Sequence, residues 1–284
     1  MARLTPKTVV AFGFAEGGVA LRQRLSEQQG NAFLVARDPS DGNGLNARAG
    51  AAIGIRHDFG PLALTMTSEA GEVRDFYQGP RFARSGYRTT SLAADRRLGR
   101  MRLSFGGSLL SEEATILGGR FSSAFSGAGS ASWFADGVAS FDLGSGWGAR
   151  ASYRHGWTRI RGGDALVQGG RLAGNAFAFD ASRTGALTAG DRLALRIMQP
   201  LRVLSGGLDL YLPVSYDYES LEAGYQHRFF NLAPSGRELD YEMLYETRLL
   251  GGTIGANAFV RTDPGHVRGM KNDVGAALRF TRGF

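Results

Sequence analysis

Arg237-Glu-Leu-Asp-Tyr-Glu-Met-Leu-Tyr-Glu-Thr-Arg-Leu249 is the stretch whose reading decides the fold. Leu239, Tyr241, Met243, Tyr245, Thr247 and Leu249 occupy one parity; Glu238, Asp240, Glu242, Leu244, Glu246 and Arg248 occupy the other. A period of two places successive side chains on opposite faces of a strand, whereas a helix would need apolar residues three or four apart. One face is apolar and carries tyrosines, and the other is ionised. Such a strand is expected to stand between lipid and a wet interior rather than on a protein core. The end of the chain repeats the pattern, with Val274, Ala276, Leu278, Phe280 and Phe284 on one parity and Gly275, Ala277, Arg279, Thr281 and Gly283 on the other.

Composition agrees with one domain of this kind. The 284 residues include 42 glycines, 8 prolines and no cysteine; 43% are hydrophobic and 21% charged. The charged residues are too few and too dispersed for a disordered chain. Without cysteine there are no disulfides, thiolate metal sites or cysteine nucleophiles. No run of eighteen apolar residues occurs, which excludes a transmembrane helix; the mean hydropathy of −0.17 is ordinary for alternating membrane strands. The net charge of +7 raises nucleic acid as a partner. Arginines are instead spread through nearly every expected strand with acids between them, not gathered in a patch, so no nucleic-acid partner is expected. Arginine far outnumbers lysine, and its planar fork suits carboxylates across a narrow wet lumen.

Residues 1–45 depart from the pattern. Thr8 to Phe14 reads as a short strand and Gly18 to Gln29 as a weakly amphipathic helix. Asp38-Pro-Ser-Asp-Gly-Asn-Gly44 is rich in oxygen ligands, but its acids lack EF-hand spacing and its composition is that of a turn. From residue 46 onward strands and turns alternate. Turns at Phe59, Leu98, Ser145 and Gly251 are short, while the connections near 72–83, 110–128, 161–171 and 263–272 are long and polar. Short on one rim and long on the other is the arrangement of periplasmic turns and surface loops. The run from Leu193 to Val203 and that from Leu208 to Tyr218 read as two strands, with short turns on both sides of the second. About thirteen candidate strands follow residue 46, and a wall with both ends on one side of the membrane needs an even number, so an all-β, antiparallel up-and-down transmembrane barrel of twelve or fourteen strands is expected.

No catalytic constellation emerges. His57, His155 and His227 share the parity of apolar neighbours, and only His266 lies in a loop; none has the spacing of a zinc site. No Gly-x-Ser-x-Gly elbow occurs, and Gly144-Ser-Gly-Trp-Gly148 is a hairpin turn. Glu238, Asp240, Glu242 and Glu246 form a row rather than an isolated pair, and Arg192, Arg196, Arg202, Arg150, Arg154, Arg100 and Arg102 are available to neutralise it. The expectation is a luminal charge ladder in a non-enzyme without cofactor or metal. Trp133, Trp147, Trp157, Tyr153, Tyr216, Tyr218, Tyr241 and Tyr245 lie on outward parity and are expected to form an interfacial girdle.

The final strand, with alternating hydrophobics and aromatic Phe280 and Phe284, resembles the C-terminal signal that barrel-assembly machinery reads in bacterial outer-membrane proteins, although Arg282 stands where that signal usually has an apolar residue. Together with Leu232-Ala-Pro-Ser-Gly-Arg-Glu238, Leu249-Leu-Gly-Gly252 and Asp263-Pro-Gly-His266, it resembles the translocator barrels that follow subtilisin-like passengers in autotransporters. The resemblance implies a bacterial outer-membrane location with a periplasmic C-terminus, lipid and lipopolysaccharide as surroundings, and a covalently linked passenger upstream. It further implies residues 1–45 as a linker whose helix, residues 18–29, threads the lumen of a twelve-stranded barrel formed by residues 46–284. Met1–Lys7 has no signal-peptide character, so a longer secreted precursor, or a chain from which the targeting segment has been removed, is expected. A free-standing pore or surface-binding barrel is the alternative.

Overall fold

A computed structural model describes residues 1–26, 33–41, 47–74, 84–119, 128–162, 166–249 and 251–282. The strands are β1 (Ala2–Thr5), β2 (Thr8–Phe14), β3 (Ala47–Asp58), β4 (Leu62–Arg74), β5 (Arg84–Leu98), β6 (Met101–Glu112), β7 (Ser130–Gly144), β8 (Trp147–Arg161), β9 (Val167–Thr184), β10 (Arg192–Asp217), β11 (Glu222–Asn231), β12 (Leu239–Leu249), β13 (Gly252–Thr262) and β14 (Asp273–Thr281). A helix, α1 (Gly18–Ser26), follows β2.

All fourteen strands belong to one antiparallel up-and-down sheet running β1 to β10 and then β12, β13 and β14, with β11 paired to β10 off this path. Setting aside β1, which pairs only β2, and β11 leaves twelve strands. The path is linear: among the described residues no ladder joins β14 to β1 or β2, so the sheet is not closed. It is nonetheless strongly curved. Leu201 of β10 packs against the cluster that Val73, Tyr87, Leu110 and Phe134 form across β4 to β7, which a flat sheet would hold far from β10.

Parity along each strand decides which side chains face inward. On β12, Asp240, Glu242 and Leu244 are buried while Tyr241 and Met243 are exposed. On β10, Ala194, Arg196 and Met198 are buried beside exposed Leu195 and Ile197. The convex face therefore displays large hydrophobics, among them Phe12, Ile53, Met66, Leu92, Phe105, Trp133, Phe179 and Leu278, and the concave face collects the charges. Aliphatics converging on a dry core, as in a soluble sandwich, would give the opposite distribution.

The structure corrects the sequence reading in three places. Residues 1–45 are not all outside the wall, because β1 and β2 lie in the sheet and α1 belongs to the connection between β2 and β3. The two runs read on either side of Ser205-Gly-Gly207 are a single 26-residue strand, β10. Register shifts at Gln199/Arg202 and Val203/Ser205 absorb the irregularity that reads as a turn, and Gly206, at φ 104°, admits the neighbouring backbone: a Cβ there would sit 2.0 Å from Arg171 O. The long connection read at 161–171 is shorter, since β9 begins at Val167.

β10 outruns its neighbours. Its first part, Arg192–Met198, pairs with β12, and its last part, from Gly207, pairs with β11, so β11 and β12 lie end to end along one edge. The ladder to β9 stops at Leu210. Beyond it Tyr211–Asp217 and Glu222–His227 form a two-stranded ribbon standing clear of the sheet on the rim of long connections.

Candidate functional site

The concave face is occupied by the connection from β2 to β3. α1 lies against β2, β3 and β4, with Leu21 and Leu25, one helical turn apart, fully or nearly buried against Ala11 and Ala52. The wall beneath the helix is made of small residues; a Cβ on Gly54 would approach Leu25 Cδ1 to 2.8 Å. The helix starts where the Gly18 amide donates to the Glu69 carboxylate, an anion at the positive end of the helix.

The connection then crosses to the opposite wall, where the sheet register builds a row of alternating charge. Arg150 of β8, Asp180 of β9, Arg196 of β10 and Glu242 of β12 are successive cross-strand neighbours. Arg196 grips Asp180 through Nε and Nη2, donates from Nη1 to Ala36 O at 2.7 Å, and stacks its guanidinium 4.3 Å from the Phe33 ring. Glu242 accepts the amides of Leu34, Val35 and Ala36 at 2.6, 2.9 and 2.8 Å, and Asn257 Nδ2 at 2.6 Å. Asp38 receives Arg150 Nε at 2.9 Å and lies 3.9 Å from Arg196. Every group of this row therefore has a partner in residues 33–41, in the row itself, or in both.

Asp38 is buried, which by itself would raise its pKa. The Arg150 guanidinium, the hydroxyl and amide of Ser40, and Arg196 outweigh that effect and hold the carboxyl at about 2. Asp38 thus acts as a counter-ion to arginine. Among the described residues no group of three or more His, Asp or Glu is placed to hold a metal ion. Residues 42–46 of the oxygen-rich turn lie outside the described residues.

The remaining charges on the expected ladder divide by height. Toward the rim of long connections, Glu238 meets Arg261 Nε at 3.2 Å and the Gly265 amide at 2.6 Å, and Arg261 also reaches Asp240 at 3.6 Å and Asp273 at 3.1 Å. Arg202 donates to the carbonyls of Gly236 and Pro234. Toward the rim of short turns, Glu246 faces Arg279 at 3.4 Å, with Arg192 its cross-strand neighbour on β10. Arg154 forks onto Asp136 at 2.6 and 2.9 Å. Arg100 lies in the exposed turn between β5 and β6, and Arg102 is exposed beside it, so neither reaches the row.

The aromatic residues also divide. Trp147, Trp157 and Tyr241 are exposed on the convex face. Tyr245 is half-buried and donates its hydroxyl to Asp191 at 3.0 Å. Tyr216 and Tyr218 sit on the projecting ribbon, away from the other girdle residues, edge to face at 5.0 Å. Phe280 is exposed on β14; Phe284 lies outside the described residues.

Three acids that anchor the fold escaped the sequence reading. Glu112, fully buried at the end of β6, accepts the Thr115 and Ser130 hydroxyls and the amides of Leu117 and Gly118. Asp191 is likewise buried, which would raise its pKa; the amides of Thr188, Leu187 and Ala186 and the Tyr245 hydroxyl bring it below the ordinary carboxylate value. Asp180 belongs to the central row. Inward parity was the available signal for Glu112 and Asp180, which follow Leu110 and Ala178, but the partners depend on register.

His266 is buried in the connection after β13. Its Nδ1 accepts the Glu238 amide at 2.9 Å, and its Nε2 lies 3.2 Å from Leu201 O, to which it donates as the neutral Nε2–H tautomer. Burial lowers its pKa and the nearby arginines, Arg202 and Arg237, act in the same direction, exceeding the opposing pull of Leu201 O and Glu238.

A cavity of about 440 Å³ remains beside the inserted segment, lined from Ala49 of β3 round to Leu201 of β10. On the side of the long connections it meets, at Tyr87 and Leu201, the apolar cluster around Val73, Leu110 and Phe134. In comparisons with known proteins the chain matches no family model, no curated protein and no solved structure.

Proposed function

We propose that the chain is an integral β-barrel domain of a bacterial outer membrane, serving as translocator and anchor for a passenger joined upstream, with a serine protease of the subtilisin type as the expected cargo. The observation that carries this reading is the inverted polarity of the sheet: hydrophobic residues on the exposed convex face and arginine–carboxylate pairs on the concave one. In water so much exposed apolar surface would drive aggregation. In a bilayer it is the favourable distribution.

The dimensions support the same reading. Trp147 and Trp157 stand near opposite ends of β8 on the exposed face. About ten residues at roughly 3.3 Å each, tilted by about 40°, give on the order of 25 Å, the height of an outer-membrane apolar band. A sheet edge left open in hydrocarbon would cost several kcal/mol per unpaired group, so β14 is expected to close against β2 in the membrane, displacing β1 from the Thr8–Val10 edge that it pairs here. The two run antiparallel.

An anchor, rather than a free-standing diffusion pore, is favoured by the contents of the concavity. A pore needs a continuous wet path, and here α1 is packed against β2, β3 and β4 while residues 33–41 are held to the opposite wall by Glu242, Arg196 and Arg150. Two measurements test the proposal. Refolded into detergent micelles, the unheated chain should migrate faster on a gel than the boiled chain. A reporter fused ahead of residue 1, behind a secretion signal, should become protease-accessible on intact cells. Insertion without display would remove the translocator role and leave the barrel.

A further inference from the structure

We infer that the convex face carries a binding site for the phosphate group of an outer-leaflet glycolipid, centred on Arg159 and Arg171. The inference rests on the membrane reading above and adds a specific ligand to it.

Arg159 of β8 and Arg171 of β9 are direct cross-strand partners on the exposed face. Like charges placed opposite each other destabilise a sheet unless something stands between them. Among the described residues neither forms an ion pair with a carboxylate, whereas the inward arginines Arg150, Arg154, Arg196 and Arg261 all do. An anion shared by the two would convert repulsion into two charge-assisted contacts.

The surrounding surface is shaped to receive one. One step toward the rim of short turns, Trp157 and Trp133 face each other across β8 and β7, both exposed. One step toward the rim of long connections, Gly169 and Asp209 are paired across β9 and β10, and Phe229 of β11 lies opposite Asp209. Between Arg159, Arg171 and Phe229 lies a depression of about 780 Å³ whose floor includes Gly169, Gly170, Gly206 and Ala131. Two other charges border it. Arg161 is turned aside, bonding to the carbonyls of Glu112 and Ser130, and Asp209 contributes one carboxylate against two free guanidinium groups.

Position selects the ligand. The arginines lie immediately beyond the tryptophans at the end of the band facing the long connections, where headgroups begin. A phosphate there belongs to an amphiphile whose chains run down beside Trp133 and Trp157. A free phosphate ion would use the same two arginines but gain nothing from the indoles.

The test uses the full chain folded into vesicles containing a bisphosphorylated acylated disaccharide, then extracted into detergent for native mass spectrometry. The wild type should retain at least tenfold more of this glycolipid than Arg159→Gln/Arg171→Gln, and should retain the enzymatically dephosphorylated lipid no better than that variant does. Arg97→Gln/Arg100→Gln, at the other rim, should behave as wild type. Equal retention by wild type and the Arg159/Arg171 variant, or equal retention of both lipids, would overturn the inference. So would complete displacement by millimolar inorganic phosphate, which would identify an ion site with no part for the lipid. Heat-modifiable migration is recorded for every sample: a wild type that never inserts sinks the membrane reading and this site with it, while one that inserts and retains no glycolipid sinks the site alone.

Discussion

Arg196 shows at the scale of one residue why the concave face is written in arginine. Its planar fork takes both oxygens of Asp180, its remaining nitrogen takes Ala36 O, and its face lies over Phe33. A lysine at that position would keep the charge and lose the geometry. Arg196→Ala leaves Asp180 and Asp38 buried with one fewer counter-ion and should cost about 3–5 kcal/mol, while Arg196→Lys should recover only part of that. Urea unfolding from lipid vesicles, followed by tryptophan fluorescence, measures both.

Two other residues predict pH dependence with the same sign at different pH. His266 has a lowered pKa in the fold, so the folded state binds fewer protons than the unfolded one, and its contribution is present above the ordinary value of 6.5 and is lost as the pH falls. Protonation would set a second N–H against the Glu238 amide. Hydrogen exchange at the Glu238 amide, corrected for intrinsic rate, should accelerate at pH 5 in the wild type, and His266→Gln should abolish the change. The contribution of Asp38 is present above the ordinary carboxylate value of 3.8 and disappears only as the pH falls through about 2. The row around Asp38 should therefore survive acid that loosens the His266 connection.

At the scale of elements, the inserted connection and the projecting ribbon make opposite predictions. Residues 33–41 are held by buried, charge-assisted bonds, and Glu242 alone accepts three successive backbone amides. Glu242→Ala should release the segment at a cost of roughly 2–4 kcal/mol. In planar bilayers it should raise conductance severalfold over a nearly silent wild type; unchanged conductance would mean that this segment does not block the path. Among the described residues the ribbon has no third strand beside it and packs on the body only at Leu212, against the cluster around Leu208 and Ile160; beyond that its contacts are its own, with Tyr211 stacked on Tyr225 at 5.0 Å and tilted against His227 at 4.8 Å. Replacing Pro213–Tyr225 by a two-residue glycine turn, which joins the cross-strand partners Leu212 and Gln226, should leave gel mobility and unfolding midpoint close to wild type.

These elements also mark where the sequence was legible. β12 and β14 could be read directly, because one face runs Leu, Tyr, Met, Tyr, Thr, Leu in the first and Val, Ala, Leu, Phe in the second, and no other backbone geometry gives that alternation. Thr8–Phe14 and the start of α1 were legible for the same local reason. β10 was not: Ser205-Gly-Gly207 has turn composition, and only the approach of Arg171 O and Phe230 O reveals glycines that make room for neighbouring strands. The central row was half legible. Arg150, Arg196 and Glu242 follow from parity, but their alternation with Asp180 is a property of register between strands distant in sequence. Nothing in residues 33–41 announces that their amides would meet Glu242.

For the whole molecule, the account depends on which side of the sheet meets hydrocarbon. The most direct measurement is fluorescence quenching by phospholipids brominated at defined depths, with the chain reconstituted into vesicles and only one of Trp133, Trp147 and Trp157 retained at a time. The account predicts that all three are quenched by bromine, most strongly by atoms near the headgroup end of the acyl chain, and are shielded from aqueous iodide. Tryptophans quenched by iodide and indifferent to brominated lipid, in a chain that stays monomeric without detergent, would contradict it.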